Sequence, residues 1–136
     1  MKHSVAGIVR EDGLFFIAHH IPSGEMGCRW EFPGGKVEEG ESFQETLVRE
    51  YEEEFGVKVK VGSFIGETSF VHKGNKVLLH AYEVIFPDED FQWVLSEHTE
   101  VKWVKLEEIE TLPFVDSDLL LLPYVSEWNK ANKENK

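Results

Sequence analysis

The stretch from Gly35 to Val57 reads GKVEEGESFQETLVREYEEEFGV, and eight of the chain's 26 acidic residues fall between Glu38 and Glu54. Ser42 and Glu45 have capping-box spacing, in which each side chain satisfies a backbone N–H at a helix start. Phe43, Leu47, Val48, Tyr51 and Phe55 recur at helical spacing and are predicted to face a core, and Gly56 supplies a left-handed stop. On this helix Glu50, Glu53 and Glu54 stand at i, i+3 and i+4, so three carboxylates lie side by side. Like charges at that spacing cost an isolated helix about 0.2–0.5 kcal/mol per pair, and something must offset them. One explanation is a solvated acidic face neutralised by Arg49 and salt. The other is a site for a hard metal ion, since Mg2+ takes oxygen ligands from a few carboxylates, waters and substrate phosphates.

Outward from the helix, residues 4–10 and 14–19 read as strands joined at Glu11-Asp12-Gly13, where Asp-Gly is a hairpin signal. A polar loop from His20 to Arg29 delivers the chain to Trp30-Glu31-Phe32 and a tight turn at Pro33-Gly34-Gly35. Beyond the helix, residues 57–70 and 76–86 read as strands around Lys73-Gly74-Asn75, Pro87 to Asp90 as a loop, and Val101 to Val104 as a short strand. Ser117 to Trp128 is predicted helical, with Pro123 kinking it or beginning its second half. The expected organisation is one domain over residues 1–128 and a polar tail over 129–136 that frays.

From Gly35 the sequence fits G-x5-E-x7-R-E-U-x-E-E-x-G-U, U being a bulky apolar residue, through Gly35, Glu41, Arg49, Glu50, Tyr51, Glu53, Glu54, Gly56 and Val57. This resembles the box of the Nudix hydrolases. Tyr51 stands where that family usually has an aliphatic residue. Trp30 to Lys36 is similar to the segment that leads into the box in the MutT-like branch, and Leu95-Ser96-Glu97-His98 to a later loop that brings one more catalytic Glu. Asp116 matches the residue that reads the base at the start of the last helix.

The resemblance implies an α+β fold: an α/β/α sandwich around a central mixed β-sheet, with a loop-helix-loop catalytic box. It implies Mg2+, replaceable by Mn2+, on Gly35, Glu50, Glu53, Glu54 and Glu97, with Glu53 the leading ligand. Arg49 and Glu41 are expected to pair and brace the loop. His20, Phe32, Lys36 and Asp116 are the expected substrate contacts, His20 replacing an Arg that touches phosphate in relatives. An ionised Asp116 accepts only, which favours donor-rich base edges.

A formal charge of -12 and pI near 4.9 argue against nucleic-acid polymers and anionic membranes as partners, and an anionic substrate then needs metal ions to invert the local field. No apolar run approaches the roughly 20 residues of a membrane span, and MKHSVAGIVR lacks a signal peptide's apolar stretch. Cys28, the single cysteine, fits a reducing compartment, and a cytoplasmic location is expected; the expected assembly is a monomer or homodimer. The expected reaction converts a nucleoside or deoxynucleoside triphosphate to monophosphate and pyrophosphate, with 8-oxo-dGTP the leading substrate and a cytidine triphosphate next. ADP-ribose or dinucleoside polyphosphate hydrolysis, and a non-catalytic binding module, are the rival readings.

Overall fold

A computed structural model of the chain describes residues 2–20, 28–87, 95 and 98–132. The elements in chain order are β1 (Lys2–Ile8), β2 (Arg10–Glu11), β3 (Leu14–His20), β4 (Trp30–Glu31), β5 (Gly34–Lys36), α1 (Phe43–Phe55), β6 (Lys60–His72), β7 (Asn75–Ile85), β8 (His98–Val104), α2 (Leu106–Ile109), α3 (Asp116–Leu119) and α4 (Leu122–Ala131).

One sheet has the order β5-β1-β7-β6 and is mixed: β1 runs parallel to β7, and the other pairs are antiparallel. A second sheet joins β2, β3, β4 and β8, all antiparallel to β3. Alternation along the strands sorts the core into two layers. Val5 and Val9 of the first strand region, with Phe16 and Ala18 of β3, pack beneath Leu47, Tyr51 and Phe55 of α1. Ala6, Ile8, Phe15 and Ile17 face the opposite way, toward Leu121 and Val125 at the C-terminal helices. Helices therefore cover both faces, as the sandwich requires.

The capping box at Ser42 and Glu45 is present, and Gly56 adopts φ 70°. Val48, expected in the core, is 37% exposed because it lies off the stripe carried by Leu47, Tyr51 and Phe55. Pro123 does not kink a continuous helix. It sits in the first turn of α4, where its missing N–H would have had no helical acceptor. That helix continues through Ala131, so the expected fraying from Asn129 is absent over 129–131. Arg10 holds this end, donating to Asn129 Oδ1 at 2.8 Å and to the Asn132 carbonyl at 3.0 Å while its guanidinium lies over Trp128.

Tyr51 explains its own departure from the family pattern. Its ring is fully buried and its hydroxyl lies 3.2 Å from the Gly7 carbonyl and 3.1 Å from that of Pro33. A Cβ on Gly7 would overlap the phenol, so the glycine in β1 makes room for the larger residue on α1. Burial holds the phenol's pKa well above its ordinary value, and the ring stays neutral. The hydroxyl thereby ties α1 to the turn that carries Gly34 and Gly35.

Candidate active site

Arg49 is the hub of the acidic helix. Its guanidinium grips Glu41 with two hydrogen bonds, Nε to Oε2 at 2.6 Å and Nη2 to Oε1 at 3.0 Å. It also donates to Glu50 at 2.7 Å, to Glu53 at 3.2 Å and to the Lys36 carbonyl at 3.2 Å. One cation thus joins two carboxylates of α1 to the loop before it, which is a partial answer to the repulsion along the helix. Glu41 further accepts from the Glu38 N–H and the Thr46 hydroxyl. Arg49 foremost, with these bonds, holds the Glu41 carboxyl down at about 2, and the same pairing pushes Arg49 further up.

The three helix carboxylates occupy different surroundings. Glu53 is 61% exposed, the Glu50 side chain is 15% exposed and Glu54 only 3%. Glu50 lies directly against Gly35, where any Cβ would collide with its carboxylate. Behind Glu54 sits His98, completely buried and stacked on Phe55 with ring centroids 5.2 Å apart and planes 11° apart. Its Nε2 lies 2.6 Å from Glu31 Oε2, and its Nδ1, 3.8 Å from Glu54 Oε1, has no hydrogen-bond partner among the described residues. A glycine cradle beneath one carboxylate and an orphaned buried nitrogen beside another fit a divalent ion, as does a donor set dominated by carboxylate oxygen. A merely solvated acidic face does not account for a buried Glu54 facing an unpartnered imidazole nitrogen.

Glu31, Gly35, Glu50 and Glu54, though not Glu53 or His98, line a cleft of about 310 Å3. Its walls include the expected His20, Phe32, Gly35, Lys36, Glu50 and Glu54, together with Glu31, Leu79 and Asp118. The Phe32 main-chain N–H donates to Asp118 Oδ2 at 2.9 Å. Asp118 is 6% exposed, and burial, reinforced by the charge of Glu31, raises its pKa well above the ordinary carboxylate range. Asp116 lies elsewhere: its side chain is 88% exposed and pairs with Arg29 at 3.4 Å. Glu97 falls outside the described residues.

A family model described as NUDIX domain matches residues 1–124. The chain belongs to the Nudix hydrolase family. Two relatives are a CTP pyrophosphohydrolase of Escherichia coli strain K12, 35% identical over 122 residues, and a putative 8-oxo-dGTP diphosphatase 2 of Mycobacterium tuberculosis strain H37Rv, 30% identical over 117. The first alignment covers 90% of this chain and 89% of the relative, the second 84% and 80%. The solution structure of the E. coli ORF135 protein superimposes with a TM-score of 0.83 at 32% identity, covering 96% of this chain and 92% of the other. This Nudix chain thus carries the mixed-sheet sandwich implied by its box.

Three residues were not chosen from the sequence as site groups: Glu31 and Asp118, which line the cleft, and His98, buried behind Glu54. Glu31 and His98 lie 67 residues apart, and nothing local announces that β4 and β8 bring them together. Asp118 stood two positions from the chosen Asp116. The signal that separates them is helical direction: α3 begins at Asp116, and only the residue two steps on turns inward.

Proposed function

We propose that the chain hydrolyses a nucleoside or deoxynucleoside triphosphate to monophosphate and pyrophosphate with Mg2+, and that cytidine triphosphates are its preferred substrates. Family membership and the carboxylate helix support the reaction; the buried Asp118 beside Phe32 carries the base assignment. A bound divalent ion supplies charge neutralisation at the phosphates and acidifies a water. Gly35, Glu50, Glu53 and Glu54 are the groups to hold it, with Glu97 as a further acidic residue. Arg49 and Glu41 keep the preceding loop docked on α1. Lys36, at the cleft, offsets phosphate charge.

The base follows from hydrogen-bond bookkeeping. Burial favours the neutral carboxylic acid of Asp118. The Phe32 N–H engages Oδ2 as an acceptor, which leaves the acid proton on Oδ1. The group then offers a donor beside an acceptor in a fixed order. Cytosine presents the complement, an acceptor at N3 and a donor at N4; uracil and thymine present the reverse. The name of the 35% identical relative agrees with this choice. A second reading, 8-oxo-dGTP, is supported by the 30% identical relative and by the ionised form of Asp118, which suits an edge of adjacent N–H donors.

The test is a panel of nucleoside triphosphates, 8-oxo-dGTP included, assayed for pyrophosphate release with Mg2+. CTP and dCTP are expected to show the highest kcat/KM. A higher value for UTP, dTTP or 8-oxo-dGTP overturns the base assignment, and turnover confined to ADP-ribose overturns the reaction.

A further inference from the structure

His98 is a large investment of polarity in a place that does not need it. Its ring is fully buried, stacked on Phe55 and turned edge-on to His20. One nitrogen is accounted for: Glu31 is a carboxylate and accepts, so Nε2 carries the hydrogen that spans the 2.6 Å contact. In the neutral imidazole the other nitrogen keeps its lone pair. Among the described residues it has no hydrogen-bond partner, and what faces it, at 3.8 Å, is Oε1 of the equally buried Glu54. With the imidazole neutral, two electron-pair donors are opposed beside the cleft that Glu54 lines, and this costs free energy unless something positive, a proton on Nδ1 or a metal ion, lies between them.

The arrangement has a recognisable logic. A histidine that binds a metal through one nitrogen characteristically donates its other N–H to a carboxylate, which fixes the tautomer and aims the free lone pair. Glu31 holds Nε2 in that way, and one potential ligand atom from each of Glu31, Glu54 and His98 lies within 4.8 Å of the other two. We propose that His98 Nδ1 is a metal ligand, forming with Glu54 a mixed nitrogen and oxygen corner that Glu31 orients, and that this corner selects Mn2+ or another first-row transition ion over Mg2+. Carboxylate and water suit Mg2+, whereas an imidazole nitrogen adds affinity for transition ions. This proposal rests on the hydrolase reading only in placing a divalent ion at Glu54.

The experiment is pulsed electron paramagnetic resonance of the full-length protein loaded with Mn2+, at natural abundance and with 15N-labelled histidine. A 14N modulation is expected in the unlabelled protein, replaced by 15N coupling in the labelled one. It is expected to persist in His20→Gln and His72→Gln, whose rings line the same cleft, and to vanish in His98→Gln. By calorimetry, His98→Gln is expected to lower the preference for Mn2+ over Mg2+ by roughly 10- to 100-fold. Should His98→Gln not fold, the labelled wild-type spectrum with single Gln variants of the other five histidines still decides the matter. Mn2+ that binds and supports pyrophosphate release with no histidine nitrogen coupling overturns the ligand assignment and leaves the hydrolase reading standing. Coupling that disappears in a Gln variant of any of the other histidines, or survives in His98→Gln, also overturns it. A protein that neither binds Mn2+ nor hydrolyses nucleotides overturns both.

Discussion

The main-chain N–H of Phe32 and the buried carboxyl of Asp118 are joined by a 2.9 Å hydrogen bond that bridges β4's exit and the first turn of α3. The bond sets which carboxyl oxygen accepts, and under the proposed function it gives the cleft a polarity for a base edge to match.

That polarity makes asparagine the informative substitution. In Asp118→Asn the amide oxygen takes the Phe32 N–H and the NH2 stands where the acid proton stood, so CTP turnover is expected to remain near wild type. Asp118→Ala leaves the base edge unpaired, at about 1–3 kcal/mol, or roughly a 5- to 150-fold loss in kcat/KM for CTP. Steady-state kinetics of the two variants checks this; Asn behaving like Ala would mean that the ionised carboxylate does the reading.

The same burial has a pH signature. Asp118 binds its proton more tightly folded than unfolded, so its contribution favours the folded state at low pH and is lost as pH rises from the ordinary carboxylate value through the raised one. Melting temperatures of the metal-free protein are expected to show Asp118→Asn gaining on wild type as pH rises through that window. A constant difference across it would show that Asp118 is not perturbed.

Glu41 has the opposite sign. Its carboxyl is held down at about 2 by Arg49, so the stability it adds is present above its ordinary 4.5 and is lost as pH falls toward 2. Glu41→Gln is expected to flatten the acid limb of a stability profile between those values. An unchanged limb would show that the Arg49 grip does not persist in solution.

How far the sequence reached is clearest along α1. The capping box, the glycine stop and the carboxylate spacing are local facts, and each appears where it was read. Pairing of Glu41 with Arg49 was implied by the family resemblance and is present in the structure. Longer-range relations were illegible: the room that Gly7 leaves for Tyr51 depends on β1 passing under the helix, and the meeting of Glu31 with His98 depends on the second sheet. Asp116 and Asp118 differ in sequence by two positions but in exposure by the whole depth of the cleft wall, which is set by where α3 begins.

Glu53 and Gly35 separate activity from stability. With a side chain 61% exposed, Glu53 can become Gln at no expected loss of stability, and relief of like-charge repulsion makes a slight gain possible. Its kcat is expected to fall by several orders of magnitude. Gly35→Ala forces Glu50 out of position and is expected to weaken metal binding as measured by calorimetry. A folded Glu53→Gln protein with near-normal kcat would remove Glu53 from the centre.

The most direct measurement is 31P nuclear magnetic resonance of CTP incubated with the protein and Mg2+, then with excess chelator. Cleavage between the α and β phosphates predicts CMP and pyrophosphate as the sole products, with turnover stopped by the chelator. Appearance of CDP with orthophosphate, or hydrolysis undiminished in chelator, would contradict the account.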